Sequence, residues 1–322
     1  MNTKYLKWLS YASCFVMFLA TLGGSVVTKT ESGLGCGNDW PLCHGKFVPA
    51  HTLASMIEYS HRAVSGAAGL FSLAAFVAFW LYRKNRKDLQ LYSLLALIFV
   101  MVQAVMGAMA VIYPTSSAVM ALHFGFSLIA FASSIMLVLG VRQEERGQAD
   151  AASRAHAPAA RVTKAFRNLT WLATGYTYIV VYIGAYVSHT DSAGGCSGWP
   201  LCNGQLVPGL SGGEGIAFIH RVAAALLLVV IATVGHFAFR KHPELPEVRK
   251  LGVAATLLVI IQVFTGATIV LTLNNYHVYL FASLAHIIVL AALFGVLCYL
   301  SVRTWQLSRM VELQAPPAGK AV

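Results

Sequence analysis

Charge is what this sequence has least of. Only 11% of its 322 residues are Asp, Glu, Lys or Arg, against roughly 25% in an ordinary soluble domain. Such a surface cannot keep a chain this size in water, and the 57% of hydrophobic residues must face something apolar other than a core. Acidic residues are scarcer still, 12 against 23 basic ones, leaving a formal charge of +11. The N-terminal apolar run continues to about Val27 without a small-residue cleavage site, so it reads as a retained span and not a signal peptide. No Arg- and Ser-rich transit peptide precedes it, which favours a bacterial plasma membrane over an organelle. Metal-type C-x2-C spacing is absent from the six cysteines, which weakens zinc as their ligand.

What is present is long apolar runs. Eight are long enough to cross a bilayer as helices, with approximate ends at 5–27, 54–82, 89–112, 116–141, 166–189, 215–239, 251–273 and 278–302. Basic residues crowd alternate connections. Of the 23, only Lys29 and Lys46 fall in the other set, while Arg62 and Arg221 lie within helix ends. By the positive-inside rule both termini are cytoplasmic. Trp8, Trp80, Trp171 and Trp305 mark the same end as an interfacial belt. The positive charge therefore sets topology, and a nucleic-acid role is excluded.

The chain repeats itself. Cys43 and Cys202, His61 and His220, Arg62 and Arg221, Gln103 and Gln262, and Gly107 and Gly266 are each 159 positions apart. His123 and His286 are 163 apart, because the loop before the last run is longer. A unit of four spans is even, so both copies point the same way. The expected fold is an all-α polytopic membrane protein, two four-helix bundles related by a pseudo-twofold axis along the membrane normal. Residues 1–141 form the first half, 142–165 a polar cytoplasmic linker, 166–305 the second half and 306–322 a cytoplasmic tail.

In each half the loop after the first span carries a cysteine pair, GCGNDWPLCHG and GCSGWPLCNG. The charge bias puts both outside, where disulfides persist, so Cys36 pairs with Cys43 and Cys196 with Cys202. Two roles stay open for these bonds, a staple or a redox pair. Zinc is the rival, since His44 follows Cys43, but the second loop has no such histidine.

Four of the eleven histidines fall within spans at matched depth. His61, His123, His220 and His286 lie five to nine residues from the outer end of their helix, roughly 7–14 Å down at 1.5 Å per residue. Two imidazoles at one level on neighbouring helices can fill both axial positions of a haem iron. That pairs His61 with His123 and His220 with His286. Arg62 and Arg221 either snorkel to headgroups or pair with porphyrin propionates. Gly66 and Gly69 would let a flat ring approach the backbone, or serve helix packing. One difference separates the copies: IEYSHRAVSGAAG carries Glu58 one turn before its histidine, where IAFIHRVAAA has Ala217. Ionisable groups inside a membrane span are costly and commonly functional. A structural partnership with Arg62 or an outer-loop group is the other reading of Glu58.

Taken together, Glu58-x-x-His61, His123, His220, His286 and the paired WPLC loops resemble the haem A synthase family over essentially the whole chain, in the bacterial form with two cysteine-pair loops. The resemblance implies oxidation of the C8 methyl of haem O to a formyl group, by successive hydroxylations and loss of water. It implies a resident haem b on His220 and His286. It also implies substrate haem O facing His61 and His123, with Glu58 as the catalytic group of that half. A haem O synthase would be a natural neighbour; assembly into a homo-oligomer stays open. The alternative is a dihaem b-type membrane electron-transfer cytochrome, which explains the histidines and the repeat but not an acid confined to one half.

Overall fold

A computed structural model describes residues 3–47, 51–149 and 162–314. Among them the chain forms eight long helices and no strand: α1 (Thr3–Lys29), α2 (Leu53–Tyr82), α3 (Lys87–Ile112), α4 (Ser117–Ala149), α5 (Lys164–His189), α6 (Gly212–Lys241), α7 (Pro246–Leu271) and α8 (Tyr276–Gln314). Seven are long and apolar enough to span a bilayer, making this a multi-pass membrane protein. The exception is α5, whose run is diluted by Thr170, Thr174, Thr177 and several tyrosines. The reason is its packing on α8 of the same half. Thr170 and Thr304 share a hydrogen bond of 3.0 Å, and Thr174 and Ser301 one of 2.8 Å. The Thr174 and Thr177 hydroxyls also donate to carbonyls one turn back in their own helix. Small polar side chains of this kind tie helices together in an apolar medium without leaving a donor orphaned.

The helices pack in the order the repeat requires. Within the first half α1 meets α2, α2 meets α3, α3 meets α4, and α4 closes onto α1; α5 to α8 close in the same way. Between halves α4 packs on α5 and α8, and α1 on α8. A twofold axis passing beside α4 and α8 produces this set of contacts. The helix ends obey it too. Lys29, ending α1, donates to the Tyr279 hydroxyl of α8 at 2.8 Å, while His189, ending α5, receives at its carbonyl a bond from Ser117 of α4 at 2.7 Å.

Two helices outrun their apolar stretches. α4 continues through residues 142–149, the first part of the expected linker, because tertiary ion pairs hold it. Glu144 meets Arg83 at 3.4 Å and Arg86 at 3.2 Å, and Glu145 meets Lys7 at 2.8 Å. α8 runs to Gln314, with Arg303 bound to Glu247 of α7 at 2.9 Å. Hydropathy ends a segment where charge begins, whereas a helix ends where its backbone partners do. Residues 150–161 of the linker, with His156, lie outside the described residues, and α5 already begins at Lys164 within it. Trp8, Trp80, Trp171 and Trp305 are all exposed on the outer surface of the bundle, as lipid-facing anchors should be.

Candidate functional site

The two loops before α2 and α6 are built alike. Cys36–Cys43 and Cys196–Cys202 are disulfides, and all four cysteines are buried. A tight turn follows each: Cys43 and Lys46 exchange backbone hydrogen bonds, as do Cys202 and Gln205. The turns carry His44–Gly45 and Asn203–Gly204 at positive φ. Gly35 and Gly195 press backbone to backbone on the start of α2 and α6, where a Cβ would overlap Ala54 or Gly213.

Arg62 and Arg221 hold these loops. Arg62 Nη1 donates to the carbonyls of Asp39 and Leu42, both at 2.7 Å. Arg221 donates to those of Leu201 at 2.9 Å and Cys196 at 2.7 Å. Each guanidinium satisfies loop carbonyls that would otherwise lack a partner, and both arginines also line the cavity below. Glu58 joins only the first clamp. Its Oε1 pairs with Arg62 at 2.5 Å and its Oε2 accepts the Cys36 N–H at 2.7 Å. The carboxylate is 3% exposed, so the ion pair and the backbone donor are what make its burial tolerable. In the second half Ala217 fills the equivalent place. Asn203 there bonds the Ser197 and Gly195 backbone and Glu214 Oε1, the last at 2.6 Å.

Beneath the loops lies one continuous cavity of about 1740 Å³ that extends through both halves. His61, His123, His220 and His286 all line it, together with Glu58, Arg62 and Arg221. Each histidine sits over a glycine of the preceding helix. Added Cβ atoms at Gly24, Gly107, Gly184 and Gly266 would come within 3.3, 3.7, 2.7 and 3.2 Å of the Cε1 of His61, His123, His220 and His286 in turn. Gly107 and Gly266 show in the repeat, but their pairing with the histidines does not. Gly24 and Gly184, 160 apart, escape notice because α1 and α5 share little else. Gly66 and Gly69 face open cavity, with no heavy atom near where a Cβ would stand.

The imidazoles are not equally bound. The Nδ1 atoms of His61, His123 and His220 are buried without a partner. His286 is held at both nitrogens, Nδ1 against Thr265 Oγ1 and Nε2 against the Gln262 amide, both at 2.9 Å. Met106 stands where Thr265 would be in the first half, and Gln103 donates instead to the His123 carbonyl at 2.6 Å. Sequence reasoning also passed over Lys29 and His189. These equivalent residues end α1 and α5 and line the cavity mouth. Cys14 and Cys298 are free and pack in the interhelical core. No cluster of three or more metal-ligating side chains occurs among the described residues.

Orphaned imidazoles facing a large apolar space, on glycine-lined helices, could ligate the metal of a flat ring, with the missing glycine side chains leaving that ring room. Comparison with known proteins points the same way. A family model described as COX15-CtaA, cytochrome oxidase assembly protein, matches residues 7–298. A protein of Symbiobacterium thermophilum named heme A synthase is 39% identical over 308 residues, spanning 95% of this chain and 97% of its own. One of the same name from Halalkalibacterium halodurans is 37% identical, covering 92% and 96%. Another, from Geobacillus kaustophilus, is also 37% identical, covering 92% and 90%.

Proposed function

The chain belongs to the cytochrome oxidase assembly protein family, and we propose that it works as a haem A synthase, oxidising the C8 methyl of haem O to a formyl group. The observation that carries this reading is the cavity with four glycine-backed histidines, two per half, one pair beside a buried carboxylate. In this reading His220 and His286 hold a resident haem b, and His61 and His123 face substrate haem O. Haem b supplies one-electron transfer when bound.

The protein's own groups do the rest. Thr265 accepts from His286 Nδ1–H, which fixes the tautomer with Nε2 free to ligate and raises its basicity. Ligation by that nitrogen would take the place of its contact with the Gln262 amide. In the reacting half no such acceptor fixes His123, so its ring is freer to admit and release a substrate. Glu58 lines that half and serves as its proton-handling group. Because the same carboxylate holds the Cys36 N–H and Arg62, a proton transfer there is coupled to the disulfide loop. Oxidation of the methyl group by two hydroxylations and loss of water from the resulting diol removes four electrons, which an external oxidant takes up. Lys29, Arg62, Arg221 and His189 make the cavity mouth basic, the side on which propionates belong. The charge bias of the connections supports an orientation with the mouth and cysteine loops on the outer face of a bacterial plasma membrane and both termini cytoplasmic.

Expression with a haem O supply, followed by pigment extraction, tests the proposal. The wild type yields a formyl haem; Glu58→Ala yields haem O unchanged, and His220→Ala or His286→Ala loses the haem b spectrum. A dihaem electron-transfer cytochrome would yield no formyl haem in the same assay.

A further inference from the structure

The two halves of the cavity differ in depth along one seam. At the level of the histidines both are lined by equivalent residues: Gly66 and Ala225, Met101 and Ile260, Val100 and Val259. Below that level the second half ends at Leu228 on α6. The equivalent of Leu228 is Gly69, where a Cβ would meet nothing, and there the first half continues. Leu70 and Leu73 of α2 and Leu97 of α3 line this extension, and none of their equivalents, Val229, Ala232 and Thr256, touches the cavity. Leu73 is three turns beyond His61, roughly 18 Å along the helix axis. Leu70 and Leu73 line the extension and are themselves exposed, as residues of a groove open at its side towards lipid would be.

The cause lies in how the helices cross. In the second half Gly235 packs on Thr256 and the Gly252 backbone, and Gly252 packs on Ala238. Small residues at a crossing let two helices approach closely. The equivalent positions in the first half are Phe76 and Ser93, so the glycine pair that brings α6 and α7 together has no counterpart in α2 and α3. One half is therefore sealed where the other is slotted, in a repeat that otherwise matches.

We infer that the α2–α3 groove receives the long isoprenoid chain of haem O, while its porphyrin sits between His61 and His123. The inference rests on the function proposed above and deepens it. Haem b carries no such chain, and the sealed half is the one assigned to it. A linear, flexible, apolar chain fits a narrow groove lined by leucine, methionine and glycine, and the lateral opening lets it enter from the bilayer without crossing the polar mouth. This argument does not use Glu58, so it assigns the substrate to the first half independently.

The test uses purified holoprotein whose second site already carries haem b, titrated with haem O or with haem b and followed by the Soret band. The wild type binds haem O more tightly than haem b. Gly69→Leu, which copies the sealed half, and Leu73→Trp, which blocks the far end from an exposed position, each weaken haem O about tenfold or more and leave haem b within twofold. Tenfold corresponds to about 1.4 kcal/mol, the burial of roughly two methylene groups. Variants that weaken both porphyrins alike, or neither, would overturn the groove assignment, and neither is what an adventitious lipid chain in the groove predicts. His61→Ala is the separate control: unchanged haem O binding there would overturn the ligand assignment itself.

Discussion

Gly184→Ala offers the sharpest test of the glycine-backed histidines. A methyl group on residue 184 would lie 2.7 Å from His220 Cε1 and within 3.3 Å of both ring nitrogens. Carbon atoms in contact settle near 3.5–4.0 Å, so the ring must retreat by roughly 0.8 Å. Helix α5 cannot yield, because it is fastened to α8 through Thr170 and Thr174. The imidazole is the free end of a side chain and moves instead. Folding is therefore spared, while a ligand has to stay within ~0.5 Å of its working position. Overpacking of this kind costs about 1–3 kcal/mol, here charged to haem affinity, which is a loss of about 5- to 150-fold. Purified variant protein should show normal thermal unfolding without added haem, and haem b content falling with dilution. Gly66→Ala, where the Cβ meets nothing, should match the wild type. Gly184→Ala with full haem b and an unaltered spectrum would refute the reasoning.

Three further outcomes follow from the same contacts. Arg62→Ala strands the buried Glu58 carboxylate as well as two carbonyls, so it should cost about 3–5 kcal/mol. Arg221→Ala, with no acid beside it, should cost about 1–3 kcal/mol; thermal unfolding of the two variants side by side checks the order. Thr265→Val keeps the shape but removes the acceptor at His286 Nδ1. It should raise the midpoint potential of the bound haem b in a redox titration by weakening the ligand's donation to iron, whereas Met106→Thr should leave that potential alone. Replacing Cys196 and Cys202 by serine should lower stability by about 2–4 kcal/mol, read as an earlier unfolding transition in non-reducing buffer.

Much of the site was legible because the repeat supplied its own control. Four histidines at fixed offsets, and an acid in one copy only, needed no structure to be noticed. What Glu58 and the two arginines touch could not be read this way. Their partners are backbone groups of a loop some twenty residues away, and carbonyls leave no trace in sequence. The extension of α4 was missed for a related reason: Glu144 and Glu145 look like the end of a span until Arg83, Arg86 and Lys7 are brought beside them.

By itself the sequence determined that the chain is a membrane protein, that it is two copies of a four-helix unit, and which residues are equivalent. Those properties follow from hydropathy and periodicity, which are local sums. Only the tertiary structure decided that the four histidines open into one space, that a glycine of the neighbouring helix backs each of them, and that the α2–α3 seam stays slotted where α6–α7 is sealed. Those are distances between helices. They depend on whether a Phe76 or a Gly235 stands at a crossing, and a residue's effect on spacing is fixed by what it meets on the other helix.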